Sequence, residues 1–152
     1  MKHYLFARMI NSLMIFCLLL SGTIFFSGCA SGPAFHKVDL IPEGKSVAYF
    51  YRQERFYGSA SSPKVYDNGA LILNGLSNGG YWIYYLDPGK HVFSTKATFL
   101  NTTYVSLESK GPGEEYFIRM DVLAGAFVSD AKLYRVYPEQ GRQEIIGCKL
   151  IE

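Results

Sequence analysis

From Ser46 onward, apolar and polar residues alternate with a period of two, the spacing of side chains on half-buried antiparallel strands. His91, Phe93, Thr95, Ala97 and Phe99 share one face of a segment, opposite Ser94, Lys96 and Thr98. In the next, Thr103, Val105 and Leu107 oppose Tyr104, Ser106 and Glu108. In a third, Tyr116, Ile118, Met120 and Val122 oppose Phe117, Arg119 and Asp121. Val47-Ala48-Tyr49-Phe50-Tyr51 is a β-branched and aromatic run suited to a pleated sheet, and Gly80 to Leu86 is another. A last long strand is expected through Phe127-Val128 and Leu133 to Tyr137, bulged near Ser129-Asp130 and ended by Pro138. Glu139 to Gly147 is expected to form one helical turn or none.

Turn chemistry organises these strands. Asn68-Gly69 lies between Lys64-Val65-Tyr66-Asp67 and Ala70-Leu71-Ile72-Leu73, and both central residues of a type I′ turn need positive φ, so a hairpin is predicted there. Asp87-Pro88-Gly89-Lys90 and Gly111-Pro112-Gly113-Glu114 have the form of type II turns, with proline at the second position and glycine at the third. Type II turns splay their flanking strands, which suits connections between layers. The predicted fold is therefore all-β, a small antiparallel β-sandwich of about seven or eight strands over residues 46–152.

Ahead of this body the pattern changes. Lys2, His3 and Arg8 precede an apolar run from Met9 to Phe26, which ends in Ser27-Gly28-Cys29. A charged start, an apolar middle and small residues at a cut site read as a secretory signal over residues 1–28. The run is also nearly long enough to span a bilayer, so an uncleaved anchor helix is the competing reading. Phe26-Ser27-Gly28-Cys29 resembles a bacterial lipobox, although that motif favours leucine where Phe26 stands. The resemblance implies cleavage between Gly28 and Cys29, a thioether-linked diacylglycerol on Cys29 and an acyl chain such as palmitate on its amino group. Ala30, rather than aspartate, after the cysteine implies sorting to the outer membrane, with the body facing the periplasm. Residues 29–45 are expected to be the lipidated N-terminus and a solvated tether, with Phe35, Val38, Leu40 and Ile41 able to dock on the domain.

Charge and cysteine content follow from this reading. Losing Lys2 and Arg8 would take Lys+Arg from 15 to 13, equal to the 13 Asp+Glu. A neutral body without a basic run offers nothing to nucleic acid. Cys17 would leave with the signal and Cys29 would be blocked, leaving Cys148 alone. It is read as a small buried thiol, or alternatively as half of an intermolecular disulfide.

Tyr51-Arg52, Phe56-Tyr57-Gly58-Ser59-Ala60, Val65 to Gly69, Gly79-Gly80-Tyr81, Leu86 to His91 and Cys148-Lys149-Leu150 together resemble the bacterial domain of unknown function 2846 family, akin to small PEGA-type surface domains. The resemblance covers about Ser46 to Leu150. It implies a compact β-sandwich on a lipoprotein or membrane-anchored chain, with no catalytic residues assigned.

Little in the chain points to catalysis. No His/Cys/Asp/Glu group has metal-ligand spacing, and no nucleophile elbow, phosphate loop or dinucleotide fingerprint occurs. His91 follows a Pro-Gly turn on the face of Phe93, which suits packing better than ligation. Glu114-Glu115 are neighbours on a strand and point to opposite faces, which does not suit a catalytic pair. Apart from the lipid on Cys29, no cofactor is expected.

Aromatic residues are concentrated in two segments. On one strand Trp82 and Tyr84 face one way and Tyr81 and Tyr85 the other. Trp82 and Tyr84 are assigned to the core because Leu86 continues their face. Tyr81, Tyr85 and Tyr57 are the candidate binding face, since large amphipathic rings dominate interfaces. Three functions stay open: a non-catalytic outer-membrane lipoprotein with a structural or protein-interaction body, a glycan- or small-ligand-binding module using the aromatic face, and an enzyme.

Overall fold

The computed structural model describes residues 29–96, 102–124 and 129–151, and among these described residues nine strands and one helix form. Gly28 and the rest of the expected signal segment, Ala97 and Phe99, and Phe127-Val128 lie outside the described residues. In chain order the elements are β1 (Ser46–Tyr51), β2 (Val65–Asp67), β3 (Ala70–Leu73), β4 (Gly80–Leu86), β5 (Gly89–Lys96), β6 (Thr102–Ser109), β7 (Glu115–Ala124), β8 (Ser129–Val136), α1 (Pro138–Ile145) and β9 (Lys149–Leu150). One sheet has the order β8-β7-β1-β4-β9 and the other β3-β2-β5-β6. This is the expected all-β sandwich.

The turns behave as their residues require. Asn68 and Gly69 have φ of 47° and 85°, closing the β2–β3 hairpin. Both Pro-Gly connections cross between layers, β4 to β5 and β6 to β7. Between the sheets, Phe50 meets Phe93 edge to face at 4.9 Å, among Leu107, Ile118, Met120 and Leu133. Burying a side chain of this size stabilises by roughly 2–3 kcal/mol.

Four expectations are corrected. The five-stranded sheet is mixed rather than antiparallel, because β1 runs parallel to β7 and β4 parallel to β9. The strand count is nine among the described residues, with β9 the short addition. β7 and β8 pair without a break from Phe117↔Val136 to Ala124↔Ser129, so there is no bulge at Ser129-Asp130. The C-terminal segment forms eight helical residues rather than one turn at most. Pro138 starts this helix with its φ preset and no amide hydrogen to leave unpaired.

The physical reason for the parallel pairing is cover on both faces. Every residue of β1 is buried, and parallel pairing occurs almost only where both faces of a sheet are covered. On the outer face of the sheet, Tyr49, Tyr51, Tyr81 and Phe117 form a second core with Ile145 of α1 and Cys148. Residues 29–45 close part of the same face. Phe35 lies edge to face with Tyr49 at 5.4 Å and Tyr81 at 5.2 Å, and its N–H donates to the Cys148 carbonyl at 2.9 Å. Val38 and Ile41 join it, while Leu40 stays 81% exposed.

Candidate functional site

Cys29 is exposed, and the chain immediately after it is held by the body rather than hanging free. The Ala30 N–H donates to the Asn78 carbonyl at 3.1 Å, and Cys29 bridges Asn78 in parallel. Asn78 is 2% exposed, and its side-chain oxygen accepts from the Arg55 N–H at 3.1 Å. One buried residue therefore ties the Cys29 segment to the loop that follows β1. Gly32 makes the close approach possible, since a Cβ there would come within 2.2 Å of the Leu150 carbonyl oxygen.

The loop itself is braced from inside. Arg52, 2% exposed, donates to the carbonyls of Gly58 at 2.7 Å, Ser61 at 2.5 Å and Leu76 at 3.5 Å. No carboxylate lies within ion-pair distance of it among the described residues, and burial lowers the pKa of its guanidinium. A planar fork of fixed donors suits this task, because it satisfies several loop carbonyls from one side chain. At the outside of the loop stand Phe56 and Tyr57, 88% and 72% exposed, packed edge to face at 5.6 Å.

The three tyrosines expected to form a binding face are not brought together. Tyr81 is 2% exposed, closed in by Phe35 and the second core, and is corrected from face to core. Tyr85 is 38% exposed and pairs with Val47 near the other end of β4, away from Tyr57. Trp82 and Tyr84 stack at 5.4 Å and pack against the inter-sheet core, on the side assigned to them.

Sequence reasoning missed several polar clusters, because their members are far apart in the chain. His91 Nδ1 lies 2.6 Å from Asp67 Oδ2, and Nε2 lies 3.0 Å from the Asp87 carbonyl oxygen. Both partners accept, so the doubly protonated imidazolium fits. Burial opposes that charge, but the Asp87 carbonyl and Asp67 outweigh it and the pKa is raised. Under α1, Tyr51 donates to Glu144 at 2.6 Å, and Arg119 donates to the same carboxylate at 3.1 Å. Burial alone would raise the Glu144 pKa, yet these donors and Gln140 hold it low, while burial pushes the Tyr51 hydroxyl up. Glu115 is likewise held low against its burial by Lys37 at 2.8 Å and Arg142 at 3.0 Å. These three charges line a shallow groove of about 740 Å³ beside Pro112 and Pro138. In these three clusters the shifts of His91, Glu144 and Glu115 favour the charged form that pairs with their partners, which latches the structure. Cys148, 1% exposed, has its thiol pushed up to about 11 by burial. Among the described residues, no three His, Cys, Asp or Glu side chains gather as a metal-ligand set, and no helix is long and apolar enough to cross a membrane.

A family model described as "Protein of unknown function (DUF2846)" matches residues 42–131. The match takes in β1 to β7, Arg52, the Phe56-Tyr57 loop and Asn78, and ends before α1 and Cys148. An uncharacterized protein of Haemophilus influenzae is 33% identical over 105 residues, covering 68% of this chain. The aligned stretch spans 59% of that relative, less than two thirds of its length. No solved structure matches.

Proposed function

This chain belongs to the DUF2846 family of proteins of unknown function, and on that footing we propose that it is a lipid-anchored lipoprotein of the bacterial envelope. Cys29 carries the lipid, and the sandwich serves as a non-catalytic structural or protein-interaction module facing the periplasm from the outer membrane. The observation that carries this reading is the exposed thiol of Cys29 at one end of the sandwich, directly after Phe26-Ser27-Gly28. A cysteine in that position is accessible to acylation without opening the fold. The non-catalytic assignment is supported by the polar clusters, whose titratable groups are committed to one another. The glycan-binding alternative loses its central ring, since Tyr81 is covered by Phe35.

The test is metabolic labelling of the full chain with a palmitate analogue, followed by membrane fractionation. Wild type is expected to be labelled, to begin at Cys29 and to stay with the outer membrane, and Cys29→Ser to lose the label. An unlabelled wild type that stays in the membrane with residues 1–28 intact would overturn the reading in favour of an uncleaved helix.

A further inference from the structure

We propose that Phe56 and Tyr57 form a second membrane contact, set in the interfacial layer of the same bilayer that receives the lipid of Cys29. The inference rests on the anchor reading and adds an orientation to it. Ala30 is hydrogen-bonded to Asn78, so no slack tether separates the lipid-bearing residue from the body. One residue of chain reaches only about 3.5 Å. An acyl chain entering the bilayer from Cys29 therefore draws this end of the sandwich to headgroup depth, and Asn78 holds the Phe56-Tyr57 loop at that end.

The loop has the chemistry for that depth. Its two adjoining rings are 88% and 72% exposed, an arrangement that costs free energy in water and is favourable where one end of a ring is apolar and the other wet. Arg52 braces the loop through the Gly58 and Ser61 carbonyls and ties it to the Leu76 carbonyl of the β3–β4 connection, so the rings are held outward before any contact forms. Arg55 beside them is an exposed cation, opposed by exposed Glu54, so the contact is carried by the rings rather than by net charge. With this end at the surface, β4 runs away from the bilayer over its seven residues, roughly 20 Å. Lys90, at the start of β5, then stands at the far end.

The test uses full-length chain, expressed with its lipid and reconstituted into phosphatidylethanolamine/phosphatidylglycerol vesicles holding a nitroxide-labelled lipid with the nitroxide near the headgroup. Tyr57→Cys carries an environment-sensitive dye, with Lys90→Cys as the control position. Cys148 is buried and Cys29 would be blocked, so each variant offers one reactive thiol. The dye at position 57 is expected to be quenched several-fold more strongly than at 90, and adding Phe56→Ser to shrink that difference. Equal weak quenching at both positions in protein that still floats with the vesicles would overturn the contact and leave the anchor standing. A blue-shifted dye at 57 in detergent, unchanged by vesicles, would place another segment of protein on the loop and also overturn it. Dye uptake by Cys29 in wild type would overturn the anchor, and the contact with it.

Discussion

Gly141 in α1 lies directly on the ring of Phe117 in β7: a Cβ added to it would come within 2.3 Å of the ring carbon Cγ. The helix is seated on the sheet at this point, and its approach is set by the absence of one methyl group. In an open helix, replacing glycine by alanine stabilises by roughly 1 kcal/mol. Here the sign is expected to reverse. Gly141→Ala should destabilise by about 1–3 kcal/mol, the usual cost of overpacking, read as a lower Tm in thermal unfolding. A variant as stable as wild type would mean that α1 does not rest on Phe117.

The two ends of one face of β4 should respond unequally to truncation. Tyr81→Ala removes a ring that is 2% exposed, at an expected cost of about 3–5 kcal/mol. Tyr85→Ala removes one that is 38% exposed and should cost about 1 kcal/mol or less. Denaturant unfolding of both variants decides the matter. Equal losses would contradict the placement of Phe35 and the second core over Tyr81 alone.

The pH dependence of stability follows from three groups. The His91 pKa is raised in the folded state, so its contribution is full below the unfolded value of about 6.5 and fades as pH rises through the folded value. Glu115 and Glu144 are held low, so theirs is full above about 4.3 and fades as pH falls through their folded values. Stability from these groups should therefore be greatest between about pH 4.5 and about pH 6.5. His91→Asn should remove the decline on the alkaline side and keep the acid one. Melting curves from about pH 4 to about pH 8, below the range in which the unfolded Cys148 thiol ionises, test this, and an alkaline decline that survives His91→Asn there would assign it to another group.

Cys148 should resist alkylation at pH 8 until the protein unfolds, since burial both excludes the reagent and pushes its thiol up to about 11. Mass spectrometry after iodoacetamide treatment, with and without denaturant, measures this. A covalent dimer on non-reducing gels that vanishes in Cys148→Ser would refute the buried-thiol reading.

The proposed anchor rests on Phe26-Ser27-Gly28-Cys29, four contiguous residues that can be read without any tertiary contact. Arg52 and Asn78 were not legible as the braces of a loop, since nothing local distinguishes a cation bonded to carbonyls at 58, 61 and 76 from a solvated one. His91 could be paired with its strand face but not with Asp67, which lies on another strand of the sheet. The exposed rings of Phe56 and Tyr57 were visible as aromatics, yet their exposure depends on where the loop is pinned.

What the sequence alone determined is whatever depends on local backbone geometry. Asn68-Gly69 demanded positive φ and made a hairpin, the two Pro-Gly turns sent the chain from one layer to the other, and the period of two marked strands with an inner face. Alternation also placed Tyr81, Ile83 and Tyr85 on one side of β4, but it says nothing about what covers that side. The cover comes from Phe35 and from α1 at 138–145, segments distant in the chain that meet only when the sheet is assembled. The tertiary structure therefore decided that β1 is buried on both faces, that β7 pairs with it in parallel, and that Tyr81 belongs to a core. Burial is a property of contacts between distant residues, whereas turns and alternation are written into neighbours.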